Sequence, residues 1–79
     1  MNIDELERAI DGLRKGLQND GADLVIDNIN DDHIEIRLIL KEHACRECIV
    51  GRDVLIILVE TALRQVVPAH INILLNDPR

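Results

Sequence analysis

The chain has 79 residues, a net charge of −6 and a hydrophobic fraction of 47%, which is enough for one small domain with its own core. It contains no Phe, Tyr or Trp, so that core must be aliphatic. Single-stranded nucleic acids are usually bound by aromatic stacking, and phosphate backbones are bound by Lys and Arg. We therefore predict a single domain over residues 1–79 with no nucleic-acid partner.

The sequence shows no signal for export or membrane insertion. Residues 1–7 are acidic, whereas a signal peptide begins with a basic region. The longest unbroken apolar run, residues 54–59, is far shorter than the roughly 20 residues that a membrane span needs. These features predict a soluble, cytoplasmic protein that does not bind membranes.

The first segment predicts one amphipathic helix. Asn2, with Glu5 three residues later, resembles a capping box. Asn19, Asp20 and Gly21 form a stop signal, because glycine readily adopts the left-handed conformation that ends many helices. The apolar residues recur at helical spacing and are Ile3, Leu6, Ala9 or Ile10, Leu13 and Leu17.

Two strands are predicted next, joined as a hairpin. Residues 24–29 alternate in period two, and in the following segment Ile34, Ile36, Leu38 and Leu40 face one way. The polar residues 30–32 between them are typical of a turn. Residues 71–76 alternate in the same way and predict a short third strand.

A second helix is predicted between Gly51 and Pro68. Its main apolar stripe consists of Leu55, Leu58, Val59, Ala62, Leu63 and Val66. A second set of apolar residues on this helix lies off the main stripe, namely Val54, Ile56, Ile57 and Val67. Ile39 and Leu74, from the predicted strands, are grouped with this set. This set indicates either a deeply buried helix or an interface with a second protomer or another partner.

The order helix–strand–strand–helix–strand predicts an α+β fold. We expect a two-layer α/β sandwich, in which a three-stranded mixed sheet is covered on one face by two helices. If the second and third strands are parallel neighbours, the helix between them forms a right-handed crossover.

Cys45 and Cys48 form a CxxC motif between the second strand and the second helix. Structural disulfides are rare in reducing compartments, so the pair favours a metal site or a redox dithiol. A helix N-terminus stabilises thiolates. Structural zinc sites need four ligands and iron–sulfur clusters usually bind four cysteines, so a two-fold dimer would have to supply the other pair.

Three alternatives remain open for this motif. The cysteines can cycle between dithiol and disulfide, they can hold a zinc ion between two chains, or they can belong to an interaction module without a cluster. His43, two residues before Cys45, is either an additional ligand or an exposed loop histidine.

Over residues 6–75 the chain resembles the C-terminal domain of NifU, the module shared by the Nfu-type iron–sulfur cluster scaffold and carrier proteins. It departs from the family pattern at His43, Ile49, Ala22 and Lys15. The matching features are Leu13-Arg14 with residues 17–23, the strand pair, Ala44-Cys45-Arg46-Glu47-Cys48, Val54-Leu55, and the helix that ends before Pro68.

The resemblance implies a function as well as the same order of elements. It implies a non-enzyme that binds a 4Fe–4S cluster between two protomers, with Cys45 and Cys48 as the ligands. It further implies a homodimer that forms on cluster binding. The implied partners are the assembly machinery and the apo iron–sulfur proteins that receive the cluster.

Overall fold

The computed structural model describes residues 2–45 and 47–79, so Met1 and Arg46 lie outside the described residues. Over these residues it contains three helices and a three-stranded mixed sheet, which confirms the predicted α+β class. The helices are α1 (Ile3–Ala9), α2 (Asp11–Asn19) and α3 (Arg52–Leu63), and the strands are β1 (Ala22–Ile29), β2 (His33–Leu40) and β3 (Asn72–Asn76).

The single helix predicted at the start of the chain is two helices, and that prediction was wrong. Ile10, with φ −98° and ψ 4°, separates α1 from α2. Hydrogen bonds from the Ile10 N–H to Leu6 O (3.2 Å) and from the Arg14 N–H to Ile10 O (2.9 Å) cross the break. Leu6 and Ile10 are both buried in the core, so the helical spacing of apolar residues continues through the break and hides it in the sequence.

The sheet has the order β1-β2-β3, with β1 and β2 antiparallel and β2 and β3 parallel. The predicted hairpin turn is confirmed, since the Asn30 N–H donates to His33 O at 2.8 Å. A β-bulge between Ile26 and Asn28 interrupts the antiparallel register. Two parallel strands need a crossover connection. The chain between β2 and β3 provides it with α3 and a long loop.

The core is aliphatic, as the composition predicts. Burial alternates along β2, where Ile34, Ile36 and Leu38 are buried and Arg37 is exposed. The helix α2 packs against β1, and α3 packs against β3 and α1. The buried residues that fill this core are Leu6, Ile10, Leu17, Ala22, Leu24, Ile34, Ile36, Leu38, Ile49, Leu55, Val59, Leu63, Val67, Ile71 and Ile73.

The second predicted helix differs from α3 at its end and in its buried stripe. The helix α3 ends at Leu63, whereas the predicted helix continues to Pro68. The N–H groups of Val66 and Val67 both donate to Leu63 O. This turn makes Val67 a core residue (4% exposed) and leaves Val66 exposed, the reverse of the prediction. Leu58, predicted in the stripe, is also exposed. In the described part of the chain, no helix is long and apolar enough to span a membrane.

An ion pair fixes α2 to β1. The Arg14 guanidinium donates from Nε to Asp23 Oδ1 at 2.8 Å and from Nη2 to Asp23 Oδ2 at 3.1 Å. Gln18 Nε2 (3.2 Å) and the backbone N–H of Leu24 (2.8 Å) donate to the same carboxylate. The hydrogen bonds from Arg14 are the main cause that lowers the pKa of Asp23 to about 2.

We expect the domain to lose stability as the pH falls from about 5 to about 2. The Asp23 pKa is lower in the folded chain than in the unfolded one, so its contribution is complete above about pH 4 and disappears as the carboxylate is protonated. Asp23→Asn should therefore cost about 1–2 kcal/mol at neutral pH and little at pH 2.

Urea unfolding at several pH values measures this effect. Asp27→Asn is the matched control, because it removes the exposed Asp27–Arg37 pair (3.3 Å) and should change the free energy of unfolding by less than about 1 kcal/mol. An Asp23→Asn chain with the same pH dependence as the native chain would contradict the prediction.

Candidate functional site

The cysteine motif lies in the loop of residues 41–51, between β2 and α3. Cys45 and Cys48 are joined by a disulfide, with their Cα atoms 5.3 Å apart. The Cys48 N–H donates to Cys45 O at 3.1 Å and closes a tight turn. Both residues are exposed, so the sulfur pair is accessible to another molecule.

The first half of this loop is built on the turn between α2 and β1. The Cys45 N–H donates to Asp20 O at 2.9 Å, and the Lys41 N–H donates to Gly21 O at 2.9 Å. Gly21 adopts the left-handed conformation that the sequence predicts, with φ +80°, and a Cβ placed on it would lie 2.8 Å from the Cα of Ala44. The residue before Cys45 is thus in close backbone contact with the turn.

The second half of the loop is held by the core and by the residues after β3. Ile49 is buried at 6% exposure. The Arg79 side chain donates from Nη1 to Val50 O at 2.8 Å. Asp77 orients this guanidinium, because its carboxylate accepts from Arg79 Nη2 at 2.6 Å. The side-chain hydrogen bonds between Asp77 and Arg79 lower the pKa of Asp77 and raise the pKa of Arg79.

The motif does not lie in the first turn of the helix. α3 begins at Arg52, and its N-cap is Gly51 in an extended conformation (φ −60°, ψ 159°), three residues after Cys48. The effect of a helix dipole falls off within about one turn. The helix therefore stabilises a Cys48 thiolate less than it would stabilise one in its first turn, and Gly51 occupies the N-cap.

Each chain supplies two cysteine sulfurs to this motif. Within residues 2–45 and 47–79, no group of three or more His, Cys, Asp or Glu side chains could hold a metal ion. His43 is exposed in the turn before Cys45 and does not join the cysteines in such a group. A role for His43 as an additional ligand stays a prediction.

This arrangement suits two kinds of chemistry. As a disulfide, the pair is open to attack by an external thiolate, which would exchange the S–S bond. Once reduced, two thiolates at the ends of one tight turn are soft ligands that favour iron–sulfur clusters and zinc. The hydrogen bonds that fix the two ends of the loop involve no sulfur atom, so reduction of the disulfide removes none of them directly.

The two cysteines are recognisable in the sequence, whereas the groups that support them are not. In the sequence Gly21 indicates only a helix stop, although the same conformation brings Gly21 against Ala44. The contact between Arg79 and Val50 joins residues 29 positions apart, and no local pattern indicates it.

The three comparisons with known proteins give no further identification. No family model, no curated protein and no solved structure matches this chain. The assignment of the site therefore depends on its own residues and geometry.

Proposed function

We propose that this chain is an iron–sulfur cluster scaffold or carrier of the NifU C-terminal type. In this proposal two copies hold one cluster through Cys45 and Cys48 and pass it to apo-proteins. The observation that carries it is an exposed, adjacent pair of cysteine sulfurs on a loop fixed at both ends. A site that binds and releases a cargo needs accessible ligands in a defined position, and this pair has both properties.

The disulfide must be reduced before any cluster binds. An external dithiol supplies the two electrons: its thiolate attacks one sulfur of the pair, and the S–S bond breaks. The second thiol of the reductant then resolves the mixed disulfide. The products are Cys45 and Cys48 as thiols and the reductant as its own disulfide, so electrons and protons balance.

Each reduced chain then contributes two thiolates to the cargo, and a second copy contributes two more. Four cysteine thiolates are the usual ligand set of a 4Fe–4S cluster. Delivery is an exchange of ligands, in which the client's thiolates replace those of Cys45 and Cys48 on the iron atoms, and no electrons are transferred. Exposed ligands that are divided between two chains favour this exchange, because the two chains can separate.

A thiol–disulfide redox module is the second candidate, because the structure contains the oxidised pair that such a module would use. It would need no second copy and no metal. A zinc ion shared by two chains would bind the same loop. That protein would be colourless, and so would an interaction domain without a cluster.

Anaerobic reconstitution with iron and sulfide after reduction tests the proposal. About two irons and two sulfides per chain, with broad visible absorbance, would support one 4Fe–4S cluster per pair of chains. The same protein with both thiols alkylated after reduction is the control and should bind neither. A reduced, folded chain that remains colourless and binds no sulfide would contradict the proposal, and a zinc assay and a redox titration would then separate the alternatives.

A further inference from the structure

One face of α3 carries a cluster of exposed aliphatic side chains. Val54, Ile57 and Leu58 have the spacing i, i+3, i+4 on the helix surface and are 48%, 60% and 38% exposed. Val50, just before the helix, is 41% exposed. Among the described residues seven large hydrophobic side chains are exposed, and four of them belong to this cluster, which we call the α3 apolar face.

The charges that α3 and its C-cap carry are balanced, although the chain as a whole has a net charge of −6. The charged residues of the helix and its C-cap are two arginines and two acids, namely Arg52, Arg64, Asp53 and Glu60. Two copies of a strongly acidic chain repel each other over most of their surfaces. The helix itself therefore brings no excess of like charge to a second copy.

The α3 apolar face also begins close to the cysteine motif in the chain. Val50 is two residues after Cys48, and Val54 lines a surface cavity of about 560 Å³ together with Gly51, Arg52, Asp53 and Arg79. In a two-fold dimer the same surface patch is used by both copies. When two cysteine loops meet at the axis, the surfaces beside them meet as well.

We propose that the α3 apolar face is the surface on which a second copy of this chain docks when the two cysteine loops share a cluster. The sharing of a cluster rests on the proposed function, whereas self-association through the α3 apolar face can be tested independently of it.

The small size of the face makes the dimer conditional. A stable interface buries about 800 Å² per partner, which is about one sixth of this chain's accessible surface of 4970 Å². Four half-exposed aliphatic side chains cover only part of such an area. The reduced chain without a cluster is therefore a monomer at micromolar concentration, and the shared ligands make association strong by linking the two copies.

Ile57→Lys tests the α3 apolar face without removing a ligand. Ile57 is 60% exposed, so the change leaves the core intact. The new lysine lies one turn from Asp53 and Glu60, which favours the helix. Leu74→Lys is the matched control: Leu74 is 49% exposed on β3, and its partner in the strand register is Glu35.

Sedimentation velocity on the reconstituted chains measures the dimer. We expect I57K to raise the dissociation constant of the cluster-bound dimer about tenfold or more, because a lysine would have to be buried in the interface. L74K should leave it unchanged. If I57K dimerises as tightly as the native chain while binding the same amount of iron, the docking surface is wrong and the proposed function stands.

A second measurement does not need a cluster. In the reduced chain at about millimolar concentration, weak self-association should shift the amide resonances of residues 50–61 with concentration, and I57K should remove that shift. If the native chain binds no iron and sulfide, the proposed function fails. The amide shifts then test by themselves whether the α3 apolar face is a docking surface. An absence of concentration-dependent shifts in residues 50–61 would then overturn the docking surface too.

Discussion

Gly21→Ala is expected to destabilise the fold by about 2–4 kcal/mol and to displace the cysteine loop. Gly21 has φ +80°, a conformation that an L-residue adopts only with strain. The added Cβ would also lie 2.8 Å from the Cα of Ala44, a backbone atom that cannot rotate away. The hydrogen bonds from Cys45 to Asp20 and from Lys41 to Gly21 resist the movement that would relieve this contact.

Thermal and urea unfolding would measure this loss. For a domain of this size, a change of 1 kcal/mol moves the melting temperature by about 4–8 °C, so a drop of about 10–25 °C is expected. Hydrogen exchange at the Cys45 amide reports the local effect, because its bond to Asp20 O should open more often.

Gly16→Ala is the matched control for this change. Gly16 lies within α2, and a Cβ placed on it meets nothing within 4 Å. The same substitution there should stabilise the chain by about 0.5–1 kcal/mol, because alanine favours the helix. If both variants behaved alike, the contact between the Gly21 turn and the cysteine loop would not be a constraint on the fold.

The sheet could be predicted from the sequence because its signals are local. The period-two alternation around Ile34, Ile36 and Leu38 identifies the strand and its buried face. The polar turn between β1 and β2 identifies the hairpin. The length of chain between β2 and β3 leaves space for the helical crossover that parallel pairing needs, and the structure contains that pairing.

The boundaries of the helices could not be predicted because tertiary packing decides them. Ile10 fits the helical spacing of its neighbours, yet the backbone leaves the helix at that residue while its side chain stays in the core. Val66 and Val67 are equally apolar in sequence. Only the turn after Leu63 decides which of them is buried.

The candidate site, too, could be predicted from the sequence only in part. The two cysteines are recognisable from their spacing, whereas the groups that hold their loop come from distant parts of the chain. Gly21 and Arg79 contact the loop from positions before β1 and after β3. Such contacts depend on the assembled fold, so a motif alone identifies the two candidate cysteines but not the groups that hold their loop.

Cys45→Ser and Cys48→Ser are each expected to abolish cluster binding and leave the fold of the reduced chain intact. A serine hydroxyl is not ionised at neutral pH and is a hard ligand, whereas iron in a cluster prefers thiolates. Both cysteines are exposed, so the substitution opens no cavity in the core. The free energy of unfolding under reducing conditions should change by less than about 0.5 kcal/mol.

Under oxidising conditions the same variants should be less stable than the native chain. They lack a disulfide that closes a very short loop, with a sequence separation of 3. The chain-entropy model assigns such a short loop a stabilisation of about 2 kcal/mol or less. Comparing unfolding with and without reductant separates this covalent contribution from the loss of cluster ligands.

Glu47→Ser is the matched control, because it introduces the same residue at an exposed position between the two cysteines. It should bind iron and sulfide as the native chain does. If either cysteine variant retained the native iron and sulfide content after reconstitution, that cysteine would not be a ligand. Loss of binding in both, with Glu47→Ser unaffected, would assign the cluster to the two sulfurs and not to the loop in general.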